Sequence, residues 1–102
     1  MEKTIAGKTV EVNEEGYLTD HSQWTREVAE AIAGEEGIHL TQRHWEVISY
    51  LQDQHKQGVA LSIRKIGKSG VIDIKEFYQL FPNGPLKIST KIAGIPKPAS
   101  CI

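Results

Sequence analysis

The sequence predicts a small, mainly α-helical domain with one β-hairpin at its N-terminus. Its 102 residues are close to the commonest size of a single domain. Apolar residues recur at helical spacing between residues 24 and 81, and apolar and polar residues alternate near the N-terminus. We therefore expect a small orthogonal helical bundle with an N-terminal hairpin, a helix-turn-helix-like pair and a flexible C-terminal arm.

The hairpin is expected within the first twelve residues. Val10 and Val12 alternate with polar neighbours, as in a strand with one buried face. Gly7-Lys8 suits a two-residue type II′ turn, because glycine tolerates the positive φ of that turn. Residues 13–16 then read as a turn, and Tyr17-Leu18 is expected to anchor the returning chain to the core.

Two longer helices are predicted next. Asp20 and Ser22 are both good N-cap residues, and they predict a first helix that ends near Gly34 or Gly37. Thr41 is the expected N-cap of a second helix, which continues to Lys56 and is closed by Gly58. These segments contain both tryptophans of the chain, which we expect at the centre of the core: Trp24 and Trp45.

Two shorter helices are expected to form the helix-turn-helix-like pair. Apolar residues 61, 63 and 66 predict the first of them, which ends around residues 67–70. Asp73 and Glu76 have the spacing of a capping box, in which each side chain caps the other's backbone amide. An apolar stripe follows, and Pro82 ends the second helix: Ile74, Phe77, Leu80 and Phe81.

The last nineteen residues differ in composition from the rest. Residues 84–102 contain three prolines and two glycines and show no long helical period. Pro96 and Pro98 favour an extended backbone, because proline fixes φ and disfavours helix in the residue before it. We therefore predict a helical domain over residues 1–83 and a C-terminal arm over residues 84–102.

Charge is divided unevenly along the chain although the net charge is only −1. Residues 1–58 carry five Lys and Arg against eleven Asp and Glu, a balance of −6, whereas residues 59–102 carry seven against two, a balance of +5. Such asymmetry points to an anionic partner for the C-terminal half, or to two solvated faces that sort by sequence. The basic residues that could contact a partner or the arm are Arg64, Lys65, Lys68 and Lys97.

Several classes of protein are excluded by composition. No run of about 18 apolar residues predicts a membrane span, and the N-terminus lacks the pattern of a secretory signal, so we expect a cytoplasmic protein without a membrane partner. One cysteine excludes an internal disulfide and zinc sites built on two or four cysteines. The four histidines have no metal-ligand spacing, and no phosphate loop is present, so neither a metal nor a cofactor is expected.

That single cysteine, Cys101, is the candidate catalytic residue. A cysteine one position from the end of the chain is normally exposed and open to oxidation. It is either a terminal residue without a function, or a nucleophilic, sulfur-carrying thiol on a tether that can enter the active sites of several proteins. Lys97 favours the thiolate slightly, whereas the carboxylate at Ile102 opposes it.

The ending KIAGIPKPASCI, residues 91–102, resembles the C-terminal arm of the DsrC/TusE family. Further matches follow the family's order at LFPNGP (80–85), HWEVI (44–48) and EGYL (15–18) followed by SQW (22–24). The resemblance implies a small sulfur carrier whose penultimate cysteine, here Cys101, bears a persulfide. It also implies two partners, a persulfide donor protein and a sulfur acceptor protein.

One departure from the family pattern concerns Thr90. DsrC proteins that work with dissimilatory sulfite reductase have a second arm cysteine eleven positions before the penultimate one, where this chain has Thr90. A two-thiol cycle within the arm is therefore not available, whereas persulfide relay needs only one thiolate. The resemblance is thus to TusE, which passes sulfur toward 2-thiolation of the tRNA wobble uridine, and a tRNA-thiolating enzyme is the expected acceptor.

Two alternatives remain open at this point. The first is a DsrC-like accessory, or gamma, protein of a dissimilatory sulfite reductase or sulfur-oxidation system, with a sulfite-reductase-type complex as partner. The second is a helix-turn-helix regulator that binds nucleic acid directly, because the two short helices have that outline and the C-terminal half is basic. Against the second, the later helix of the pair has Lys75 and Gln79 but no larger set of base-reading side chains.

Overall fold

The computed structural model describes residues 1–82 and 84–96. Five helices and one antiparallel hairpin account for its regular structure, so the predicted fold class is confirmed. In chain order the elements are β1 (Glu2–Ile5), β2 (Lys8–Glu11), a 3-10 turn (His21–Gln23), α1 (Arg26–Glu35), α2 (Gln42–Lys56), α3 (Ile63–Lys68), α4 (Ile74–Leu80) and α5 (Pro85–Ile92).

The hairpin forms where it was predicted, with a different turn. Its two-residue loop is Ala6-Gly7, at φ 54° and 77°, and Lys8 pairs with Ile5 as the first residue of β2. Positive φ at both loop residues is the pattern of a type I′ turn. The expected type II′ turn on Gly7-Lys8 is therefore wrong by one residue, because Lys8 belongs to the strand.

The predicted first helix is divided into two pieces. The Asp20 side chain accepts from the N–H of Ser22 and caps only the 3-10 turn. Trp24 then has an extended backbone, at φ −73° and ψ 135°. α1 begins two residues later with Thr25 as its N-cap, whose hydroxyl oxygen accepts from the N–H of Val28.

The core is centred on other aromatic residues than the two tryptophans. Both tryptophans are only partly buried and lie at its edge. Each indole has a polar neighbour there, since Trp24 donates to a backbone carbonyl and Trp45 carries the guanidinium of Arg26 4.2 Å from its ring centroid. The prediction of a tryptophan core is wrong, and the largest fully buried aromatic side chains are Tyr17, Phe77 and Phe81.

α3 and α4 pack together as the expected pair. Ser62 caps α3 by accepting from the N–H of Lys65, and Asp73 caps α4 by accepting from the N–H of Glu76. The capping box predicted for Asp73 and Glu76 forms in this one direction, because the Glu76 carboxylate binds Arg43 instead.

α5 lies inside the segment that the sequence predicts to be an arm. Pro85 occupies the first helical position, where a missing N–H costs no hydrogen bond, after Gly84 at φ 108°. Six of its eight residues, Pro85 among them, are buried, because α1, α2 and α4 all pack against it. The sequence predicts an arm without a long helical period over residues 84–102, whereas its residues 85–92 form a helix packed within the bundle. The helix is amphipathic, with Lys87 exposed, but its eight residues are too few for that period to stand out among the prolines and glycines of the segment.

Candidate functional site

Cys101 and Lys97 lie outside the described residues, so the described part of the candidate site is the segment that leads to them. We call residues 97–102 the tail. Its starting point is Pro96, an exposed residue that follows Ile95, whose side chain is 1% exposed. Cys101 follows Pro96 by five positions, so five Cα–Cα steps join them. The Cys101 Cα can therefore lie at most about 18 Å from the Cα of Pro96.

The backbone at the C-terminus of α5 closes in a Schellman motif. The N–H of Ile95 donates to the carbonyl of Thr90, and the N–H of Gly94 donates to the carbonyl of Lys91, both at 3.2 Å. Gly94 supplies the left-handed conformation that this motif requires, at φ 73°. Two of the carbonyls that a helix end usually leaves without a partner are thus satisfied by the chain itself.

The next three carbonyls are bound by side chains from elsewhere in the fold. The donors come from the 3-10 turn, from the residue that follows it, and from α2. We call these three side chains the carbonyl clamp: His21 Nδ1 with Gly94 O (2.9 Å), Trp24 Nε1 with Ile92 O (2.8 Å) and Gln52 Nε2 with Ala93 O (2.8 Å). Since a carbonyl oxygen only accepts, the geometry places the proton of His21 on Nδ1.

The clamp is packed as well as hydrogen-bonded. The rings of His21 and Trp24 are stacked, with centroids 6.2 Å apart and planes 14° from parallel. A Cβ on Gly94 would overlap Cδ1 of the Trp24 indole and lie 2.8 Å from its Cγ. The glycine therefore provides both the positive φ and the space in which the indole approaches the backbone. The backbone carbonyls of residues 90–94 all accept hydrogen bonds, and these bonds fix the backbone up to Ile95.

Thr90, at the position of the second family cysteine, is fully buried inside α5. Its hydroxyl donates to the carbonyl of Leu86 at 2.7 Å, one turn earlier in the same helix. A hydroxyl group cannot take part in thiol–disulfide exchange, so this position contributes no redox chemistry.

The three described basic residues of the predicted contact set lie together on α3. Arg64, Lys65 and Lys68 are exposed, and the Lys65 ammonium is 3.4 Å from the carbonyl of Ala60. The clamp is built from other elements, so α3 contributes no residue to it. The predicted basic contacts therefore lie on a different helix from the side chains that bind the backbone at the starting point of the tail.

The shortest ion pair among the described residues joins α2 to α4. The Arg43 guanidinium binds both carboxylate oxygens of Glu76, at 3.0 and 2.7 Å, and also reaches Glu46 and the carbonyl of Val71. These hydrogen bonds lower the pKa of Glu76 below its ordinary value and raise the pKa of Arg43. The donors of Arg43 are thus committed to structure rather than to a ligand.

His44, one of the four histidines without metal-ligand spacing, both packs in the core and caps a helix. It is buried, its Nδ1 accepts from the N–H of Thr41, and its Nε2 donates to the carbonyl of Leu80 at 2.9 Å. Within residues 1–82 and 84–96, no group of three or more His, Cys, Asp or Glu side chains is arranged to hold a metal ion. In the same residues, no helix has the length and apolar character needed to cross a membrane.

Sequence reasoning did not find the carbonyl clamp. From the sequence, His21 is one of four histidines without metal-ligand spacing, and Trp24 is predicted only as a core residue. The clamp side chains lie 73, 68 and 41 residues before the carbonyls they bind, so no spacing rule connects them. The usable signal was Gly94 followed by Pro96, which is typical of the residues after a helix C-terminus.

Comparison with known proteins places these features in a family context. The family model described as "DsrC like protein" matches residues 4–102. Sulfurtransferase TusE of Escherichia coli is 41% identical over 104 residues, covering 94% of this chain and 95% of that protein. The gamma subunit of the dissimilatory-type sulfite reductase of Nitratidesulfovibrio vulgaris is 40% identical over 103 residues, covering 99% and 98%. The NMR structure of Allochromatium vinosum DsrC superposes with a TM-score of 0.83 at 34% identity, with both chains fully covered.

Proposed function

The chain belongs to the DsrC family, and from that membership we propose that Cys101 carries persulfide sulfur from a donor protein to an acceptor protein. A sulfur-relay carrier is the function that the TusE and gamma-subunit relatives support. The observation that supports the site is the position of Cys101, the single cysteine of the chain, in a tail that starts from a tightly held helix end.

Two successive exchanges make up the relay, and both conserve atoms and electrons. In the first, the Cys101 thiolate attacks the outer sulfur of a donor persulfide, the donor S–S bond breaks, and the donor leaves as a thiolate. Cys101 then holds the outer sulfur as Cys101–S–SH. In the second, an acceptor thiolate attacks that sulfur, and Cys101 leaves as a thiolate. No oxidant or reductant is consumed.

Thr90 favours a TusE-like role, with sulfur passing toward 2-thiolation of the tRNA wobble uridine by a cytoplasmic tRNA-thiolating enzyme. Relay needs one thiolate, and the buried Thr90 hydroxyl offers no second one. The cycle that would require a second thiol in the same chain is therefore excluded by residue type, whereas single-thiol transfer is not.

The second candidate is a DsrC-like accessory protein of a dissimilatory sulfite reductase or sulfur-oxidation system. The identity of 40% to a gamma subunit over nearly the whole chain favours it. Stable co-purification with a sirohaem enzyme would support this candidate over the TusE-like role. Direct nucleic-acid binding has weaker support, because α4 is a seven-residue helix whose Glu76 is tied to Arg43.

The exposed basic residues of α3 are proposed as partner contacts. Arg64, Lys65 and Lys68 lie on one short helix and would attract an acidic surface of a partner protein. Lys97, inside the tail, would act at the same encounter. Contacts of this kind chiefly accelerate association, so their removal should lower the association rate and its salt dependence.

Mass spectrometry of the terminal peptide tests the proposed site. Incubation of the full chain with a protein persulfide donor should add one sulfur, about 32 Da, to the peptide that contains Cys101. The added mass should be lost when a thiol reductant is supplied. The Cys101→Ser variant is the control, and an equal gain on that variant, or no gain on the wild type, would contradict the proposal.

A further inference from the structure

We propose that His21, Trp24 and Gln52 are positioning residues, which hold the starting point of the tail and so fix the distance over which Cys101 can deliver sulfur. The inference rests on the relay function proposed for Cys101. It is argued from the clamp side chains, from the backbone between the end of α5 and Pro96, and from the number of residues between Pro96 and Cys101 in the sequence.

The argument begins with how completely the end of α5 is bound. An isolated helix leaves its last carbonyls to water. Here five successive carbonyls, 90 to 94, have donors, two from the backbone and three from the carbonyl clamp. Three side chains from two separate regions converge on one helix end, although the Schellman motif alone already terminates the helix. A role in termination therefore does not explain the clamp.

Holding this helix end limits the reach of the thiol. With the chain fixed to Pro96, five Cα–Cα steps join the anchor to Cys101, which allows a reach of at most about 18 Å. If residues 93–95 came free, nine steps would join Ile92 to Cys101, and the reach would grow to about 32 Å. The concentration of the thiol at a docked acceptor would then fall by about twofold for a random chain and about sixfold for an extended one.

The clamp residues do not touch the reacting sulfur atoms in this scheme. They act through the backbone of residues 92–94, so they are positioning residues rather than catalytic ones. Loss of one donor should therefore change transfer between proteins and leave the chemistry of the thiol with small reagents as it was. This separation distinguishes a positioning role from general damage to Cys101.

The main test compares Gln52→Met with Gln57→Met. Methionine keeps the length and helix propensity of glutamine but cannot donate to Ala93 O. Gln57 is an exposed glutamine at the end of the same helix, and its amide binds only Asp53 among the described contacts. Loss of the Ala93 hydrogen bond weakens the hold on residues 93–95, and in the limit of their full release the kcat for transfer to a protein acceptor falls by about two- to sixfold, with KM unchanged. Alkylation of Cys101 by iodoacetamide should be unchanged, and Gln57→Met should match the wild type in both assays.

A spectroscopic measurement tests the clamp without any sulfur transfer. A nitroxide attached to Cys101 labels one position, because the sequence has no other cysteine. Paramagnetic broadening of backbone amides should be concentrated around the clamp in the wild type and in Gln57→Met, and it should extend over more of the domain in Gln52→Met. His21→Ala should reproduce the wider pattern, and His21→Asn should restore the narrow one, because an asparagine amide can replace the Nδ1 donor.

The two measurements separate the two proposals. Identical broadening patterns and identical kcat values in the wild type and Gln52→Met would overturn the positioning role, even if the wild type carries sulfur normally. A wild type that accepts no sulfur from a persulfide donor would overturn the relay function, whatever broadening pattern the nitroxide shows.

Discussion

Substitution of Gly94 by alanine should destabilise the domain more than the same substitution at Gly37. Both glycines have φ 73°, and both close Schellman motifs, Gly37 at the end of α1 and Gly94 at the end of α5. Alanine pays about 1 kcal/mol for that conformation at either position. A Cβ at Gly37 meets nothing within 4 Å, whereas at Gly94 it overlaps the indole of Trp24. The indole must then move and release the carbonyl of Ile92.

The magnitude of the difference follows from that lost hydrogen bond. A buried carbonyl left without its donor costs about 1–3 kcal/mol, so Gly94→Ala should lose about 2–4 kcal/mol of unfolding free energy and Gly37→Ala about 1 kcal/mol. Urea unfolding followed by far-UV circular dichroism measures both. In a Trp24→Ala background the extra loss at Gly94 should disappear, because the overlapping ring is gone. Equal losses for the two glycine variants would refute the steric argument.

Two further predictions concern the Arg43–Glu76 pair and the hydroxyl of Tyr17. The pKa of Glu76 is lowered by its hydrogen bonds to Arg43, so this carboxylate stabilises the fold above its ordinary pKa of 4.5 and ceases to do so as the pH falls through the lower folded value. The loss of stability between pH 7 and about pH 3 should therefore be smaller in Glu76→Gln than in the exposed control Glu30→Gln, and equal losses by urea titration would contradict the assignment. Tyr17→Phe should lower the unfolding free energy by about 1 kcal/mol, because the buried hydroxyl donates to an α5 carbonyl at 2.9 Å. Tyr78 is half exposed, so Tyr78→Phe should change the unfolding free energy by less than about 0.5 kcal/mol. A Tyr17→Phe variant as stable as Tyr78→Phe would show that the Tyr17 hydrogen bond does not stabilise the fold.

The sequence predicts those elements that carry their own local signals. Thr41 and Asp73 mark the starts of α2 and α4 because a side-chain cap acts within three residues of its position. Gly58 and Pro82 mark the ends for equally local reasons. The family resemblance adds a prediction that local signals cannot make, because it assigns a role to Cys101 that no local pattern could specify.

What the sequence does not reveal depends on contacts between distant segments. α5 is short and lies between prolines and glycines, so its apolar period is hard to see, and its place in the core comes from packing against three other helices. The sequence predicts Trp24 as a core residue, and only the fold shows that its indole N–H donates to a carbonyl at the end of α5. The clamp is likewise invisible, since each of its hydrogen bonds joins residues more than forty positions apart.

Passage of a heavy sulfur isotope through Cys101 tests the central claim most directly. A donor protein loaded with isotopically heavy outer sulfur would be mixed with the full chain, freed of donor, and then mixed with an acceptor that has a reactive cysteine. The relay predicts that the heavy isotope appears first on the Cys101 peptide and then on the acceptor, with matching loss from Cys101. Heavy sulfur that reaches the acceptor equally well through Cys101→Ser would contradict it.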